Sequence, residues 1–288
     1  MVPMNAEPEL SPPPEVGTEA LLEYCWANTC DLRLFNFVID LALQGDYVAH
    51  IARQALDGNE DYKAQTPVDL AKINPGSATK ALRQSSQELL EMFVSRAVDN
   101  FEDYLVAIIR LVLQKEPRIL SDRKQELTLG QILKFDSIEA LSREIIEGKL
   151  NALSYEGFGE LEAWCTQRSV PLLVPHGQRD RVVELIALRN IIVHNRGRVD
   201  ERYRAAVPSS SAKVGAKREI EVDDLFGAVA LLDAVVSTTD SAVAGKFRLS
   251  TVKIREEIQT RAKQRWPKPL KHDESPSITA IPPSETKH

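Results

Sequence analysis

Apolar side chains recur at steps of three and four along most of this chain, the spacing that gathers them on one face of an α-helix. Glu19–Asn28, Leu32–Leu43 and Tyr47–Leu56 each read as a short amphipathic helix, with Gly45 and Gly58 as stops. The polar stretch Gly58–Gly76 contains Pro67 and the turn signal Asn74-Pro75-Gly76, and reads as a boundary. The longest periodic segment runs from Ala78 to Gln114. Its core face carries Leu82, Leu89, Phe93, Ala97, Phe101, Leu105 and Ile108, and Pro117 ends it. Shorter helices are predicted at Leu129–Leu133, Ser137–Glu147 and Phe158–Gln167. Pro171 and Pro175 bracket an extended piece, and a further helix covers Asp180–Asn195. After a Ser/Gly-rich loop (Pro208 to Gly215), Arg218–Val222 reads as a short strand. Asp223 then caps a helix through about Phe247. The expected fold class is all-α, with few and minor strands.

Composition narrows the class. Of 288 residues, 43% are hydrophobic and 27% charged, which excludes collagen, low-complexity fibre and a wholly disordered chain. Residues 1–17 (with Pro12, Pro13 and Pro14) and 267–288 (with five further prolines) bury too little to order themselves, so a flexible leader and tail are expected. Between them lie an acidic helical region over 18–75, a main helical domain over 76–247 and a basic helical extension over 248–266. The longest apolar runs stop short of the roughly 18 residues a membrane span needs. There is no basic segment followed by an apolar one at the N-terminus, and three cysteines (Cys25, Cys30, Cys165) make no disulfide framework. A cytoplasmic protein without a membrane anchor is the expectation.

The formal charge of −6 argues against coating nucleic acid by bulk electrostatics, but it is unevenly spread. Residues 1–75 carry 12 acidic against 4 basic side chains, and residues 248–272 carry 8 basic against 2 acidic. Residues 179–204 hold 7 arginines against 4 acids.

That last stretch, RDRVVELIALRNIIVHNRGRVDERYR, is where chemistry is indicated. Val182, Leu185, Ile186, Leu188 and Ile191 make it a largely buried helix, yet Arg189, Asn190 and His194 interrupt the apolar run. Asn190 and His194 are four apart and share a face. A cation, an amide and an imidazole among aliphatics are costly unless paired or used.

Arg189-Asn190-Ile191-Ile192-Val193-His194 resembles the Arg-Asn-x-x-x-His signature of the HEPN superfamily (higher eukaryotes and prokaryotes nucleotide-binding domains), and Asn195, Gly197 and Tyr203 resemble the tail that follows it. The long preceding helix with Phe101-Glu102-Asp103-Tyr104-Leu105 is similar to the first helix of such domains. More narrowly, the stretch resembles the ribonuclease-like bacterial branch, RiboL-PSP-HEPN. The resemblance covers roughly Ala78 to Phe247. It implies an up-down helical bundle, a homodimer in which two copies of the motif face one cleft, and metal-independent cleavage of RNA. His194 would move protons between the ribose 2′-OH and the leaving oxygen. Arg189 would stabilise charge developing on the phosphate, and Asn190 would position the phosphate or His194. Attack by the 2′-OH needs neither metal nor protein nucleophile and leaves a 2′,3′-cyclic phosphate. No cofactor is implied. Glu102 and Asp103 are candidates for a polar partner on another helix. Toxin or phage-defence roles, with a cognate antitoxin or regulatory protein, belong to the same implication.

Plainer readings stand beside these. A helix-terminal His often only caps carbonyls and meets the helix dipole. Arg196, Arg198, Arg202 and Arg204 would line an RNA path or form a solvated turn with Asp200 and Glu201. Lys253, Arg255, Arg261, Lys263 and Arg265 would extend RNA contact, answer the acidic N-terminal region or form a solvated face. Trp266 is a candidate base-stacking ring. Metal binding by the cysteines lacks a ligand set, and no phosphate-loop, dinucleotide, serine-hydrolase or zinc-peptidase motif is present. Three functions remain open: an endoribonuclease, a catalytically silent HEPN-like dimer binding a nucleotide or a protein, and a purely structural helical adaptor.

Overall fold

The computed structural model describes residues 14–58, 66–120 and 128–266. In chain order the elements are β1 (Val16–Gly17), α1 (Glu19–Leu56), α2 (Pro67–Ile73), α3 (Ser77–Gln84), α4 (Ser86–Lys115), α5 (Leu129–Ile132), α6 (Ile138–Glu156), α7 (Phe158–Gln167), α8 (Arg179–Asn195), α9 (Glu201–Ala206), α10 (Val222–Phe247), β2 (Val252–Lys253) and α11 (Ile254–Arg265). This is an all-α, up-down multi-helix bundle with two short strands. Helix α4 is its axis and touches α1, α3, α6, α8 and α10. Its buried face runs from Leu90 through Phe101 and Tyr104 to Leu113, following the predicted period.

Two core clusters meet along α4. One joins Leu21, Leu22 and Tyr24 of α1 to Phe101, Ile108 and Val112 of α4, Leu150 of α6, Trp164 of α7, Leu185 of α8 and Leu232 of α10. The other joins Phe35 of α1 to Phe93, Leu188, Ile191, Tyr203 and Leu225. The acidic helix α1 contributes to both, so it shares one interior with α4, α6, α7, α8 and α10.

Several elements differ from expectation, each for a visible reason. The three short helices predicted over 19–56 are one continuous α1. A lone Gly45 costs a helix only about 1 kcal/mol relative to Ala, and tertiary contacts flank it: Phe35 packs on Phe93 of α4 before it, and Asp46 binds the start of α3 just after it. The single helix predicted over 78–114 is two, broken at Ser85. Helix α3 starts where Asp46 of α1 accepts the N–H groups of Ala78 (3.0 Å) and Thr79 (2.8 Å). That carboxylate lies so close to Gly76 that a Cβ there would overlap it at 2.3 Å. Helix α6 runs on to Glu156, and Gly157 at φ 89° ends it. The strand expected at Arg218–Val222 is absent among the described residues; an isolated bridge joins Arg198 to Lys217 instead. The cap of α10 is Glu221, not Asp223. Glu221 and Asp224 form a reciprocal capping box.

The leader expected over 1–17 ends in β1, which pairs antiparallel with β2, Val16 opposite Lys253 and Gly17 opposite Val252. Residues 1–13 and the tail 267–288 lie outside the described residues. Just after β1, Thr18 caps α1 and is fixed to α10: its N–H and Oγ1 donate to the two oxygens of Asp240 at 3.0 and 2.5 Å. By length and apolar content alone, α10 matches a membrane span. In the bundle its face of Leu225, Ala228, Leu232, Val235, Val236 and Val243 is buried core.

Candidate active site on helix α8

Helix α8 packs its Val182, Leu185, Ile186, Leu188 and Ile191 inward, against α4 and α10. The polar triplet does not share that burial. Asn190 and His194 are exposed and Arg189 is half-buried. The expectation of a polar group sunk among aliphatics is thereby corrected: residues 190, 193 and 194 form the outward side of a helix whose opposite side is core. Asn190 and His194 stand one turn apart, about 6 Å along the axis.

Arg189 reaches back to α4. Its Nε donates to Asp99 at 2.7 Å, and its Nη1 to the Asn190 side-chain oxygen at 3.1 Å. The guanidinium is thus held from two sides, by a carboxylate of another helix and by its own neighbour. Glu102, one turn beyond Asp99 and on the same side of α4, lies in the field of this cation. Burial raises the Glu102 carboxyl above the ordinary range; Arg189 opposes the shift, while Asp99 and Asp103 add to it. Glu102 therefore belongs to the Arg189 neighbourhood. Asp103 is exposed and acts there through its charge.

The helix ends in two left-handed residues, Arg196 (φ 54°) and Gly197 (φ 72°), and the Gly197 N–H returns to the Ile191 carbonyl at 2.9 Å. This reversal leaves Arg196 exposed just past His194. Arg198 is used within the loop: its Nη1 donates to the Gly215 carbonyl at 3.0 Å, and the Asn195 amide holds its own carbonyl at 2.7 Å. Arg204 likewise ties down the Ser210 and Ala212 carbonyls. Of the arginines proposed for an RNA path, Arg198 and Arg204 thus have structural partners.

The basic extension also faces inward in part. Arg261 of α11 pairs with Glu23 of α1 at 2.8 Å, an instance of the acidic front meeting the basic back. Trp266 packs on Trp26, with centroids 5.4 Å apart, and Arg33 covers it at 4.2 Å. That ring is occupied within the fold. Among the described residues, no group of three His, Cys, Asp or Glu side chains is arranged to hold a metal ion.

Asp99 was missed in the sequence. The signal that marks it is the three-residue step from Asp99 to Glu102, which puts two carboxylates on one side of α4. No family model, curated protein or solved structure matches the chain.

Proposed function

We propose that this chain is a metal-independent endoribonuclease of the HEPN toxin or phage-defence type, cleaving RNA in a cleft formed by two copies of α8. The observation that supports this reading is the outward side of α8: His194 and Asn190 exposed one turn apart, beside an Arg189 whose guanidinium Asp99 orients. A solvent-facing imidazole can exchange protons with a ribose 2′-OH and a leaving oxygen. Arg189 supplies charge to the phosphate as the 2′-OH attacks, and Asn190 positions it. Burial raises the Glu102 carboxyl on the neighbouring turn of α4, and the Arg189 cation opposes that shift.

The test is incubation of purified protein with total RNA in excess EDTA, beside His194→Ala and Asp99→Asn. The expected result is cleavage leaving 2′,3′-cyclic phosphate ends, lowered roughly 10²- to 10⁴-fold by His194→Ala. Cleavage that needs metal and ignores the substitution would overturn the assignment of the site. A folded dimer that binds RNA or nucleotide without cutting it would establish the second reading, the silent binding module.

A further inference from the structure

Away from α8, an open-sided cavity of about 500 Å³ lies between α1, α4 and α10, within the size range of small-molecule sites. Its two ends differ in chemistry. At one end Phe35 stands edge to face with Phe93 and Phe226, with ring centroids 5.1 and 6.3 Å apart. At the other end the Asp233 carboxylate accepts hydrogen bonds from the Tyr24 hydroxyl at 2.7 Å and the Asn28 amide at 3.4 Å. Phe226 and Asp233 are two turns apart on α10, roughly 10 Å, and Asn28 and Phe35 are two turns apart on α1. The helices run antiparallel here, so the aromatic and carboxylate ends coincide across the groove. Ala97 and Ala230 line it between them and leave the space open.

The two carboxylates on the wall are treated differently by the fold. Asp31 is satisfied by Arg96 at 3.1 Å and by the Asn100 amide at 2.9 Å. Asp233 has only the neutral donors Tyr24 and Asn28, and among the described residues no Lys, Arg or His forms an ion pair with it. Burial raises its carboxyl, and the two hydrogen bonds pull the other way without cancelling the shift. A half-buried carboxylate beside apolar walls costs free energy that a cation would offset.

We infer that this cavity is a binding site for a small amphiphilic amine, its ammonium group on Asp233 and an apolar body of about 10 Å running to Phe35, Phe93 and Phe226. The charge of Asp233 selects a cation, and the aromatic end selects an aryl or branched alkyl group. The site is independent of the chemistry proposed for α8, and shares no side chain with it.

The probes are phenylbutylamine and its neutral counterpart phenylbutanol, titrated calorimetrically into the full chain. The amine is expected to bind saturably, and the alcohol about tenfold or more weakly, the size of one charge-assisted hydrogen bond. Asp233→Asn brings the amine down to the level of the alcohol. Ala230→Phe, at an exposed wall position, blocks both, and a circular dichroism melt confirms that each variant is folded. Equal binding of amine and alcohol to the unsubstituted chain would overturn the inference. So would unchanged amine binding by folded Ala230→Phe, or no saturable binding of either probe. The comparison of the two probes needs no variant, so it stands even if Asp233→Asn fails to fold.

Discussion

Replacing Asp240 with Ala removes the carboxylate that closes the start of α1 onto α10. Thr18 and Asp240 are 0% and 1% exposed, so water does not replace what is lost. Two donors depend on Asp240: the Thr18 N–H at 3.0 Å and the Thr18 hydroxyl at 2.5 Å. Tyr104 donates to it more weakly at 3.5 Å and keeps the Val236 carbonyl at 3.3 Å. Each buried donor left without a partner costs about 1–3 kcal/mol, a gross loss of about 2–6 kcal/mol. Removing a buried carboxylate that has only neutral donors returns part of this, leaving roughly 2–4 kcal/mol. For a chain approaching this size each kcal/mol moves the melting midpoint by about 2–4 °C, so a fall of roughly 5–15 °C is expected. Urea and thermal unfolding followed by circular dichroism measure it. Asp240→Asn keeps an acceptor and the shape, and should fall between wild type and Ala. In a double-mutant cycle with Thr18→Ala, the two losses should be strongly non-additive. A loss below about 0.5 kcal/mol, or simple additivity, would refute the view that this pair closes the bundle.

Asp46→Ala should cost about 0.5–2 kcal/mol, the value of a helix cap, because it frees the N–H groups of Ala78 and Thr79. The penalty should depend on pH. Burial pushes the Asp46 carboxyl up, but contacts with Thr79 and the N–H groups of Thr79, Ala78 and Gly76 leave it below its ordinary value. Its contribution is therefore present above the usual Asp range and lost as pH falls through the depressed folded value, so wild type and variant should converge in acid. Asp240 has the opposite sign. Burial raises it, against the hydrogen bonds from Thr18 and Tyr104, so its protonation-linked contribution is present at low pH and lost as pH rises through the folded value. A pH-independent Asp46→Ala penalty in urea unfolding would contradict this. Burial pushes the Cys25 and Cys165 thiols up to about 12, so iodoacetamide at about pH 8 should label them only after unfolding. Mass spectrometry of the native protein showing Cys165 labelled as fast as in denaturant would count against that burial.

Periodicity carried the helical class, the span of α7 and the end of α8, because a one-sided apolar stripe marks a helix from local spacing. It ran α3 and α4 together, since the break at Ser85 leaves the apolar spacing almost intact. The Arg189, Asn190 and His194 motif is read from local spacing within one helix, but its outward placement came only with the structure. What the chain could not show locally was decided by long-range contacts. Asp46 starts a helix 32 residues away. Asp99 holds Arg189 from 90 residues away, and Asp240 caps the beginning of the bundle across 222. Packing carried α1 through Gly45, and the left-handed turn at Arg196 and Gly197 set which arginines face outward and which tie the loop. The cavity between α1, α4 and α10 has no sequence signature at all. Its walls come from residues far apart in the chain, among them Ala97 and Ala230, and the lack of an ion pair at Asp233 depends on which cations the fold placed elsewhere. Local spacing determines which side of each helix is apolar, whereas the partner that each polar side chain meets is a property of the assembled bundle.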